Sequence, residues 1–133
     1  MIYLDACLVI YLVEEHSVFA RLIEKQILKA SSTQFAISPL TITEALVMPI
    51  RQNNQPLLSK YQAFFEQSLI LPLPDAVFMD AAILRAKHIG LKTPDALHLA
   101  AAQFHQCLAF WTNDDRLYKV AGDFAINISA GML

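Results

Sequence analysis

Five short, predominantly apolar runs, set between stretches long enough to be amphipathic helices, constrain this chain more than any other feature. The runs are Ile2-Tyr3-Leu4, Phe35-Ala36-Ile37, Leu69 to Leu73, Leu108 to Thr112 and Ala125 to Ile128. A strand wetted on one face alternates apolar with polar residues, whereas a strand covered on both faces is apolar throughout, as in a parallel sheet between helices. The spacing of apolar residues between the runs predicts helices over Cys7 to Glu14, Ser17 to Ala30, Thr41 to Arg51, Leu57 to Gln67, Ala76 to Ile89 and Ala96 to Gln106. In this reading Asp75 caps one helix, which Gly90 ends, and Thr93 caps the next with Pro94 at its first position. Another helix starts at Asn113-Asp114-Asp115. Strand and helix in alternation imply an α/β domain with right-handed crossovers. At 133 residues the chain fits one domain, 1–133.

Composition narrows the class further. With 56% apolar and 17% charged residues, a disordered or low-complexity chain is excluded, and so small a hydrophobic domain is expected to leave an apolar patch for a partner or a second copy. The net charge of −2 supplies no long-range pull on a nucleic-acid backbone, so any such contact needs a local basic patch. Cys7 and Cys107 form no metal-binding spacing, and a reducing cytoplasm suits them. The apolar stretch Ala6 to Val13 is too short to span a bilayer and has no basic segment before it, so the chain reads as soluble.

Ligands of open parallel sheets bind beyond the carboxyl ends of the strands. Asp5 and Asp114 fall at such ends, while Glu44 and Asp95 fall in what read as the first turns of helices. Four carboxylates on one rim would repel one another, and a cation resolves that repulsion. Oxygen donors without Cys or clustered His favour Mg²⁺ or Mn²⁺, ions suited to phosphodiester cleavage. Taken singly, each acid has an ordinary structural explanation at a helix N-terminus, and Thr41-Ile42-Thr43-Glu44 reads as a capping box. Their joint placement after successive strands is what points to a site.

In order along the chain, Met1-Ile2-Tyr3-Leu4-Asp5, Ser38-Pro39-Leu40-Thr41-Ile42-Thr43-Glu44, Thr93-Pro94-Asp95-Ala96-Leu97-His98-Leu99-Ala100-Ala101-Ala102 and Trp111-Thr112-Asn113-Asp114 resemble the four motifs of the PIN domain family, and more narrowly VapC-type toxins. The resemblance implies a three-layer α/β/α sandwich with a five-stranded parallel sheet and Mg²⁺- or Mn²⁺-dependent ribonuclease activity. It also implies a homodimer and a cognate antitoxin as partners. Asp5, Glu44 and Asp95 would hold the metal, with Asp114 as outer ligand or water-orienting group, Thr112 supporting the rim and Asp115 an alternative fourth acid. The sequence departs from the family at Ala6 and Cys7, where a Thr or Ser and then an Asn or Ser is usual. That departure supports an alternative reading, an inactive scaffold that binds RNA or a partner. A phosphoacceptor domain phosphorylated on Asp5 or Asp114 is a more distant alternative.

Arg116 and Lys119 follow Asp114, and Arg85, Lys87, His88 and Lys92 precede Asp95, so both groups are candidates to meet substrate phosphates. His98 and His105 share a helix face and are assigned to its margin and to the surface. Cys7 lacks a neighbouring base and reads as a buried thiol rather than a nucleophile.

Overall fold

The computed structural model describes residues 1–30 and 32–128. Its strands are β1 (Ile2–Leu4), β2 (Phe35–Ile37), β3 (Leu69–Ile70), β4 (Ala109–Thr112) and β5 (Ala125–Asn127). All pair in parallel in one sheet of order β3-β2-β1-β4-β5. The helices are α1 (Ala6–Val13), α2 (Phe19–Lys29), α3 (Pro39–Arg51), α4 (Gln55–Gln67), α5 (Asp75–Lys87), α6 (Thr93–Phe104) and α7 (Asp115–Ala121).

Alternation along β1 divides the core in two. Ile2 and Leu4 join Ile37 and Trp111 in one cluster with Leu8, Val9, Ile23, Ala45 and Tyr61, so α1 to α4 cover that face. Tyr3 points the other way and joins Ala36, Phe110 and Ala125 against Val77, Ala81, Leu99 and Leu117 of α5, α6 and α7. Seven consecutive residues of α6, Ala96 to Ala102, are buried. Four of them are alanines, and their small side chains let the helix backbone lie close to its neighbours. This is the three-layer arrangement expected, with β3 stopping at Ile70 before Pro72 removes the next ladder donor.

Several helix starts differ from the sequence reading, and proline explains most of them. Pro39 opens α3 with Ser38 as N-cap, so Thr41 is already helical, there is no capping box, and Glu44 lies in the second turn. Lys92 rather than Thr93 is the N-cap of α6, with Thr93 its first residue and Pro94 its second. Pro74, not Asp75, caps α5, which ends at Lys87; Gly90 stands beyond it in the connecting loop at φ +91°.

The chain leaves β1 toward β2 and β3, then returns to the other side of β1 for β4 and β5. Parallel sheets open a crevice where the winding direction changes in this way. Here it lies beyond the carboxyl ends of β1 and β4, which is where Asp5 and Asp114 follow their strands.

Candidate functional site

Asp5, Glu44, Asp95 and Asp114 line one open cavity, together with Cys7, Tyr11, Asn113, Asp115 and Arg116. Each acid comes from a different part of the fold, so it is the folded sheet that brings them together. Among the described residues, no three Asp, Glu, His or Cys side chains stand close enough to enclose an ion by themselves.

Asp5 is held most firmly. It is 6% exposed, and its Oδ1 accepts from the Ala6 backbone N–H at 2.8 Å. Its Oδ2 accepts from the Thr112 hydroxyl at 2.7 Å and from the Cys7 thiol at 3.6 Å. Thr112 in turn accepts from the Asp114 backbone N–H at 2.9 Å, tying the ends of β1 and β4 together. The departure at Ala6 and Cys7 therefore leaves Asp5 with three donors. Burial, followed by the charge of Asp5, pushes the Cys7 thiol far above its ordinary range, so it stays protonated and serves as a donor rather than a nucleophile.

Glu44 is oriented by a residue whose contribution the sequence concealed. His98 is fully buried, with Nε2 2.8 Å from Glu44 Oε1 and Nδ1 2.7 Å from the Tyr3 hydroxyl. The Tyr3 hydroxyl is also hydrogen-bonded to Ser38 Oγ at 2.7 Å, its single proton serving one of these two neighbours. An ionised carboxylate only accepts, so Glu44 fixes a proton on Nε2. Ser38, Tyr3, His98 and Glu44 thus form a continuous chain from α3's N-cap back to α3's second turn. His98 lies neither at the margin nor on the surface, whereas His105 bonds the Pro72 carbonyl at 2.7 Å.

Asp114 is the N-cap of α7, its Oδ1 accepting from the backbone N–H groups of Arg116 at 2.8 Å and Leu117 at 3.3 Å. Asp115 begins that helix and accepts from Asn127 Nδ2 at 2.6 Å, which ties it to β5. Neither oxygen of Asp95 has a hydrogen-bond donor among the described residues. Burial first, then the charges of Asp5 and Asp114, push the Asp95 carboxyl up to about 6, with His98 opposing and Glu44 adding. An oxygen-only donor set with this unrelieved repulsion fits a hard divalent cation.

Of the basic candidates, Arg116 lines the acidic cavity, and Lys87, His88, Lys92 and Lys119 line an adjoining cleft. Arg85 lines neither: its Nε donates to the Leu91 carbonyl and its Nη1 to Thr93 Oγ1, both at 2.8 Å, so it pins the α5–α6 loop.

A doubly covered parallel sheet with carboxylates gathered at its switch point describes a class of α/β domain with an acidic rim. The PIN domain family model matches residues 2–123, and the chain belongs to that family. It is similar to a toxin-antitoxin complex from Klebsiella pneumoniae, with 25% identity over 96% of this chain and 98% of that one, at a TM-score of 0.75. VapBC2 from Rickettsia felis, solved bound to a DNA fragment from its promoter, is 20% identical over 96% and 98% of the two chains, with a TM-score of 0.74. FitAcB from Neisseria gonorrhoeae has the same fold at 18% identity, covering 97% of this chain and 99% of that one, with a TM-score of 0.68. None of the curated proteins compared with the sequence matches it.

Proposed function

We propose that the chain is a divalent-metal-dependent endoribonuclease that hydrolyses RNA phosphodiester bonds as the toxin of a toxin–antitoxin pair. The observation that carries this reading is the convergence of Asp5, Glu44, Asp95 and Asp114 on one cavity, where burial first and the neighbouring carboxylates second hold Asp95 at about 6. Membership of the PIN domain family supports nuclease chemistry, and the likeness to toxin-antitoxin complexes supports an antitoxin partner. The exposed apolar side chains of Phe78, Met79 and Ile83 on α5 favour pairing with a second copy. No helix of the described residues is long and apolar enough to cross a membrane.

Asp5, Glu44, Asp95 and Asp114 would hold Mg²⁺ or Mn²⁺. When bound, such an ion supplies a Lewis acid that neutralises phosphate charge and makes a water nucleophilic near neutral pH. The protein's own part is positioning. Thr112 and the Ala6 N–H fix Asp5, His98 fixes Glu44, and the first turn of α7 fixes Asp114. Asp95 is the acid without such a restraint, and its free oxygens are available to a cation.

Protons and the metal compete for Asp95. The folded, metal-free protein holds this proton more tightly than the unfolded chain, whose carboxyl titrates near 3.8. Asp95 therefore favours folding most at pH below that value, and its contribution declines as pH rises toward about 6. Mn²⁺ affinity runs the other way, rising by about tenfold between pH 5 and pH 7 in a calorimetric titration, with protons released on binding. A flat affinity over that range would remove Asp95 from the ligand set.

Thr112→Val keeps the volume of the side chain and deletes the hydroxyl that bridges Asp5 and Asp114. Loss of such a supporting hydrogen bond is expected to lower Mn²⁺ affinity and cleavage by about tenfold, the smaller end of the usual range, because two donors to Asp5 remain. Side-by-side titrations of Thr112→Val and Thr112→Ser check this, since the serine variant retains the hydroxyl and the affinity.

A further inference from the structure

The net charge argues against nucleic-acid binding, yet the positive charges are unevenly distributed. A cleft of about 660 Å³ runs between the α5–α6 loop and α7, lined on one side by Lys87 and Lys92 and on the other by Arg116 and Lys119. These are four of the chain's ten lysines and arginines. The acids lining the cleft are Asp95 and Asp114, both belonging to the cavity next to it, and Arg116 borders both spaces. Among the described residues no lysine or arginine is within ion-pairing distance of a carboxylate, so all four cations are without an acidic partner. Arg85 supports the wall from behind by holding Leu91 and Thr93. Ile89, fully exposed, sits in that same loop beside Gly90.

Resting on the ribonuclease reading, we propose that this cleft is the subsite for the strand on one side of the scissile bond, with its four cations meeting successive phosphates of single-stranded RNA. Each phosphate engaged by a lysine or arginine releases condensed counterion, and a row of such contacts holds a backbone without reading its bases. Ile89 offers an apolar surface to a base or ribose above that backbone. An acidic peptide fits less well. Its carboxylates would have to crowd Asp95 and Asp114 at the cleft's inner end, where a phosphodiester chain would share the cation held there. The cleft opens on one side of the acidic cavity, so substrate contacts extend further in one direction along the strand than in the other.

The test measures binding of a fluorescently labelled, mixed-sequence single-stranded RNA to the full chain in EDTA across a range of KCl concentrations. Cleavage by the same proteins in Mn²⁺ is followed in parallel. The double variant Lys87→Ala/Lys119→Ala is compared with Lys25→Ala/Lys29→Ala on α2, all four being exposed positions where a lost lysine leaves the fold intact. Removing two contacts to a single strand should reduce the salt slope by about 1.4, at roughly 0.7 per phosphate, while the α2 pair leaves it unchanged. In Mn²⁺ the loss should appear in KM. A wild type that cleaves RNA, with slope and KM unmoved in the cleft variant, overturns the subsite and leaves the nuclease reading standing. A reduced slope in a protein that cleaves nothing supports the cleft as an RNA site and overturns the nuclease reading. Displacement of the RNA by polyglutamate more readily than by an unlabelled RNA of equal charge would assign the cleft to an acidic protein segment instead.

Discussion

Asp95→Asn should abolish RNA cleavage without unfolding the protein. Asparagine is nearly isosteric with aspartate, and neither oxygen of Asp95 is committed to a hydrogen bond that the fold depends on. What the substitution removes is a charge from the cavity shared with Asp5, Glu44 and Asp114. The expected loss in kcat/KM is at least about a thousandfold, or roughly 4 kcal/mol of transition-state stabilisation. Thermal unfolding of the metal-free variant at pH 7 should be no lower than wild type, because the burial of a charge and the repulsion that together lift Asp95 to about 6 are both relieved. A variant that keeps wild-type cleavage would take Asp95 out of the centre. A variant that is inactive because it is unfolded would show that the acid's role is structural.

His98→Leu carries the second large effect. The substitution keeps an apolar, similarly sized side chain within α6 but leaves Glu44 without its restraint and Tyr3 without its ring partner. Stranding the buried Tyr3 hydroxyl is limited by its remaining bond to Ser38, so the stability cost is expected at about 1–3 kcal/mol. The cost to Mn²⁺ affinity should be larger, about 10–100-fold, as when an outer partner of a metal-binding side chain is removed. His98→Gln separates the two effects, because its amide can still donate to Glu44 and should recover much of the affinity. In a Glu44→Gln background the effect of His98→Leu on metal binding should disappear. Equal losses in both backgrounds would mean that His98 acts on the fold generally and not through Glu44.

What could be read in the sequence follows from how local each signal is. The strands were legible because burial on both faces leaves an unbroken apolar run, and three such residues suffice in β1, β2 and β4. Asp5 and Asp114 were legible because strand ends and helix starts mark the rim of any parallel sheet. Glu44 was found with its local setting misread: the Thr41 to Glu44 spacing suits a capping box, but Pro39, pre-set for a first helical position, starts α3 earlier. His98 left no local trace. Its partners Glu44 and Tyr3 lie 54 and 95 residues away, and a histidine among alanines and leucines looks the same whether its ring is satisfied by water or by a carboxylate.

The basic residues show the same limit from the other side. Arg85 resembles a phosphate-binding candidate by proximity to Asp95, yet it bonds the Leu91 carbonyl, and a backbone acceptor has no signature in the sequence. The cleft cations come from two segments, 87–92 and 116–119, and only the packing of α7 beside the α5–α6 loop brings them to one cleft.

The central claim, that the four carboxylates form a metal-dependent nuclease centre, is tested most directly by calorimetric titration of Mn²⁺ into wild type and Asp95→Asn at pH 7, with cleavage of a mixed RNA pool followed in the same samples. The account predicts that wild type binds Mn²⁺ and cleaves only when it is bound, and that the variant, still folded, does neither. A folded wild type that takes up no Mn²⁺, or that cleaves RNA equally well in EDTA, would contradict it.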